Sequence, residues 1–87
     1  MVKVELKGWQ RYRDKDLGET TFIKERGDWT ISVDFDDHSR QYCICFSYHY
    51  ENDLRFTANM PYENNAKAVK AILESAAVMA VPQTLGV

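Results

Sequence analysis

Between Tyr42 and Tyr50 the chain alternates without a break. Tyr42, Ile44, Phe46, Tyr48 and Tyr50 fall on one parity; Cys43, Cys45, Ser47 and His49 fall on the other. This is the pattern of a β-strand whose two faces meet different surroundings. The large face has to be covered, so the strand belongs to an antiparallel sheet packed on one side. The opposite face is small and weakly polar, where a solvated sheet usually carries Lys and Glu.

The same period predicts four further strands. Residues 2–9 form the first, with Val2, Val4 and Leu6 alternating with Lys3, Glu5 and Lys7. A charged connection follows over 10–19. The second strand covers 20–26 and turns at Gly27-Asp28. The third covers 29–36, with Trp29, Ile31, Val33 and Phe35 on one face. The fourth covers 41–50 and the fifth 54–60.

Loop lengths set the expected registers. A loop over 37–40 pairs Phe35 with Tyr42, Val33 with Ile44 and Ile31 with Phe46. A loop over 51–53 pairs Tyr50 with Leu54, Tyr48 with Phe56 and Phe46 with Ala58. Both put apolar residues opposite apolar ones, and a one-residue slip would turn every side chain over. Neither Phe22 nor Ile23 fixes the register at Gly27, and a bulge fits there.

After Pro61 the period becomes helical. Residues 63–80 are rich in helix formers, Asn64 or Asn65 can cap the start, and Pro82 ends the run. Ala66, Val69, Ile72, Leu73, Ala76 and Ala80 recur on one face. That face is small where the sheet face is aromatic, so their volumes are complementary. The expected fold is α+β: an antiparallel β-meander of about five strands with one C-terminal α-helix packed on its apolar face. It forms a single domain over 1–87, with 81–87 as a tail.

Thirteen acidic residues against eleven basic ones give a net charge of −2. Without a basic excess there is little to release counterions from a duplex, so nucleic acid is not the expected partner. No stretch has the apolar length of a membrane span, and the N-terminal residues lack a signal-type apolar run. The expected location is the cytoplasm. Cys43 and Cys45, two apart on one strand, suit reduced thiols there.

Several constellations invite a chemical reading. Cys43, Cys45 and His49 share a face, but His49 lies about 13 Å along the strand from Cys45, too far for a common metal or a Cys–His pair. Asp34, Asp36, Asp37 and His38 cluster at a hairpin end without calcium-loop spacing, and a solvated turn accounts for them. Arg26-Gly27-Asp28 spells an adhesion tripeptide that hairpin chemistry also explains. Arg11, Arg13 and Lys15 could meet phosphates, but Asp14 and Asp16 cancel most of their field. No phosphate loop, nucleophile elbow or metalloprotease motif occurs. The expectation is therefore no catalytic residue, no metal and no cofactor.

Two surfaces remain. Thr30, Ser32, Cys43, Cys45, Ser47, Thr57 and Asn59 form an uncharged centre on the outer sheet face, as in an interface core. The alternative is that 10–19 folds over it. At the helix end, Val78 and Val81 fall on or near the solvent stripe of Lys67, Lys70 and Glu74. Either the tail Leu85-Gly86-Val87 packs back on them or another chain covers them. The chain reads as a small non-catalytic protein-binding module. Thr30, Ser32, Cys45, Ser47, Thr57, Asn59, Val78 and Val81 are its candidate contacts. Inhibitors and accessory proteins of bacterial or phage type, anti-defence proteins among them, share this size and character. The alternatives are a structural homo-oligomer, a homodimer for instance, and a weak nucleic-acid binder.

Overall fold

Trp29, Ile31, Val33 and Phe35 build the centre of the molecule. In the computed structural model, which describes residues 1–50 and 54–79, they occupy one face of a strand paired on both sides. The elements are β1 (Gln10–Asp14), β2 (Glu19–Arg26), β3 (Trp29–Asp36), β4 (Gln41–Tyr48), β5 (Leu54–Phe56), β6 (Met60–Pro61) and α1 (Ala66–Val78). The sheet is antiparallel in the order β1-β2-β3-β4-β5, with β6 also paired to β4. One C-terminal helix packs on it, against β3, so the α+β meander is the observed fold.

The helix starts where Asn65 caps it: the side-chain oxygen accepts from the Ala68 N–H at 2.8 Å. Val69, Leu73 and Ala76 are fully buried against the sheet, while Lys67, Lys70 and Glu74 face solvent. At the other end Arg26 Nη1 donates to the carbonyls of Ala77 and Met79, both at 2.8 Å. A cation on the last carbonyls complements the helix dipole. Arg26 thus serves the helix terminus, and the Arg26-Gly27-Asp28 tripeptide reduces to its hairpin role. Gly27 turns with φ 59°, and the ladder runs from Arg26↔Trp29 through Phe22↔Val33 without a bulge.

The β3–β4 register matches the sequence expectation pair for pair. Three other expectations need correction. Residues 2–9 are not a strand. They join no ladder: Val4 is buried and Met1, Val2, Leu6 and Trp9 pack around the core, and a turn at Lys7-Gly8, where the Trp9 N–H donates to the Leu6 carbonyl at 3.1 Å, ends the alternation. An extended backbone alternates its side chains whether or not a neighbour bonds to it, so the period was real and the ladder was not.

The strand lies instead in the expected connection. Gln10–Asp14 pairs with 19–23, and Asp14 Oδ1 closes the turn by accepting from the N–H groups of Asp16 and Leu17. Residues 10–19 therefore widen the sheet and do not cover it.

The third correction concerns β5, which is shorter than 54–60 and slipped. Cys45 pairs with Phe56, Phe46 with Arg55 and Ser47 with Leu54. The offset is odd, so Leu54 and Phe56 change faces. Thr57 holds this register: its N–H donates to Ile44 O and its hydroxyl accepts from Ile44 N–H, both at 2.9 Å. The fourth strand ends at Tyr48, whose ring packs on Trp29 and Tyr50. The helix covers 66–78 within the expected 63–80. The tail at 81–87, and with it Val81, lies outside the described residues.

Candidate protein-binding face

The outer face of the sheet follows from the pairing. Ile23, Ser32, Cys45 and Phe56 form one transverse row; Glu25, Thr30, Ser47 and Leu54 form the next. A third runs Tyr12, Thr21, Asp34, Cys43. Thr30, Ser32, Cys45 and Ser47 are thus brought together as expected. Asn59 lies near Cys43 and Asp34, where it helps line a shallow depression of about 320 Å³ with Glu19 and Asp36. Thr57 is different, since its hydroxyl is spent on the β4 backbone. Val78 is 78% exposed at the helix end, far in the chain from this face.

Sequence reasoning missed the largest apolar groups here. Phe56 is 65% exposed, Tyr12 53% and Leu54 46%. The register expected from a loop over 51–53 puts Phe56 and Leu54 on the core face, and the charged connection expected over 10–19 makes Tyr12 a loop residue. Their clue was the isolated charge of Arg55 between two large apolar residues, which fits either parity. Cys45, directly opposite Phe56, is only 8% exposed although it points outward.

The reactive-looking groups are engaged in other ways. Burial, then the charge of Asp34, pushes the Cys43 thiol above its ordinary pKa. Burial does the same to Cys45. Both are free thiols, and protonated ones at neutral pH. His49 turns away from them: its Nε2 lies 2.6 Å from Thr30 Oγ1 and 3.2 Å from Glu25 Oε2. Base, hydroxyl and carboxylate meet at a single ring nitrogen, so the carboxylate does not orient the ring from the other side as a triad requires. Among the described residues no three His, Cys, Asp or Glu side chains converge to hold a metal.

The acidic hairpin end is structural. Asp36 Oδ1 accepts from His38 and Ser39 N–H, and these two bonds lower its pKa. Asp37 sits 2.6 Å from Arg13 and 3.3 Å from the Met1 ammonium. Burial works against its carboxylate, but those two cations outweigh it and the pKa falls. A depressed carboxyl contributes stability above its unfolded value and loses it as pH falls through the folded one. The urea midpoint should therefore drop below about pH 4. Asp37→Asn should flatten that decline, and a midpoint unchanged from neutral pH down to about pH 3 would contradict the assignment. The raised Cys43, Cys45 and Tyr62 act at the other end, their stabilising protonated forms being lost as pH rises above about 8.5 to 10.

On the core side, Arg11 lines a groove with Leu6, Trp9 and Phe22, and its Nε is buried there without a hydrogen-bond partner. Arg13 is committed to Thr20 and Asp37. No helix among the described residues is long and apolar enough to cross a membrane. The chain matches no known protein family, no curated protein and no solved structure.

Proposed function

We propose that the protein is a small non-catalytic binding module that acts by occupying a protein partner with the outer face of its sheet, as an inhibitor or accessory protein does. One observation carries this reading. No layer of the described residues covers that face, yet Phe56, Tyr12 and Leu54 stand exposed on it around an uncharged centre of Ser32, Cys45 and Ser47. Aromatic anchors around a charge-poor middle are what interface cores contain. The protonated thiols and the placement of His49 support a role without covalent chemistry. The helix end at Val78 is a second, smaller candidate.

A photo-crosslinking residue in place of Phe56, compared with one in place of Lys70 on the helix, tests the reading in the native host. A discrete adduct from position 56, absent from position 70 and lost on adding Ser47→Arg, is expected. Circular dichroism of the Ser47→Arg variant should match wild type, because Ser47 points away from the core. Equal or absent adducts from both positions would overturn the proposal.

A further inference from the structure

The charges of the strands are sorted by face. Every Lys and Arg in a strand, namely Arg11, Arg13, Lys24, Arg26 and Arg55, occupies the parity of the core side. Every Asp and Glu in a strand, namely Asp14, Glu19, Glu25, Asp34 and Asp36, occupies the outer parity. A chain of net charge −2 therefore presents one sheet face whose fixed charges are all negative. The acids stand at its two ends, Glu25 at one and the other four toward the opposite end, with the apolar groups between.

From this sorting we infer that the partner is a cationic protein surface: Lys or Arg side chains flanking apolar ones. This rests on the outer-face reading above and specifies its chemistry. Complementary fields steer encounter and set register. The depression among Glu19, Asp34, Asp36 and Asn59 is large enough to admit a long side chain, and three acidic residues line it. Asp34 is held in place there by Thr21 Oγ1 at 2.7 Å, so its charge is pre-positioned for a basic side chain. A second copy of this chain fits badly. Face-to-face apposition about a two-fold axis would set an acidic face on an acidic face. Nucleic acid is repelled by the same field.

The test uses a random peptide library displayed against the immobilised full chain, with binders mapped by amide NMR shifts at Ser32, Cys43, Cys45 and Phe56. Face-binding peptides should be enriched in Lys and Arg beside aromatic or aliphatic residues. Their affinity should fall as salt rises from about 0.05 to 0.5 M. The Glu19→Gln/Asp34→Asn variant should bind them about 2- to 30-fold more weakly. Both substitutions keep shape, and Glu19→Gln alone serves if the double variant fails to fold. Peptides that bind this face without basic residues, or with no salt dependence, would overturn the inference and leave the docking reading standing. Selection of no face-binding peptide at all would overturn both.

Discussion

Phe35→Ala should strip the chain of a large share of its stability at 25 °C. Phe35 is fully buried, with Phe22 edge-on at 5.7 Å, Tyr62 edge-on at 5.0 Å and Tyr42 at 5.8 Å. Truncating such a ring costs about 3–5 kcal/mol in lost transfer and cavity energy. The three aromatic pairs, worth roughly 0.5–1.5 kcal/mol each, place the loss toward the upper end of that range. Small domains hold about 0.05–0.15 kcal/mol per residue in all, so one substitution removes much of the total. Phe56→Ala is the matched control. The same deletion at an exposed position should shift stability by about 0.5 kcal/mol or less. Urea titration of both variants decides the matter. If Phe56→Ala unfolds the protein, the β5 register is wrong and the outer face loses its main anchor.

Leu73→Ala should be nearly as damaging, at about 2–5 kcal/mol, because Leu73 is fully buried beneath the helix with Val69 and Ala76. Val78→Asp lies five residues further on, at the last position of the same helix. Its side chain is exposed, so the new carboxylate stays in water and the thermal midpoint should hardly move. A large loss from Val78→Asp would mean that something covers the helix end and would promote it as a contact surface.

The pairing of β3 with β4 was legible because both strands alternate cleanly and a four-residue turn joins them. Asp36 closes that turn through its own side chain, as short polar residues do. The helix was legible because its period, its Asn65 cap and its alanine face agree. The N-terminal segment misled because alternation reports an extended chain and not a hydrogen-bonded partner. β1 was hidden because Arg11 and Arg13 sit at inward positions where a strand normally shows apolar residues. β5 failed through length: with Leu54, Arg55 and Phe56 alone, either parity looks reasonable. The choice rests on one hydroxyl, Thr57, meeting the Ile44 N–H. For the candidate site, the small residues of β3 and β4 were visible in the alternation, whereas its aromatic anchors depended on the two strands that were misplaced.

The inward arginines of β1 have a consequence for crowded solutions. Among the described residues β1 pairs only with β2, which leaves a row of backbone N–H and C=O groups available to any extended chain that drifts alongside. A strand adding there would have to lay its own apolar side chains against Arg11 and Arg13, and inward-pointing charge is one of the devices that keep sheet margins from recruiting neighbours. At the far margin β5 runs for three residues, breaks, and resumes as β6 for two. A template so short and interrupted holds no register. Both borders of the sheet are thus poor templates for edge-to-edge growth, even though Phe56 stands openly on the second of them.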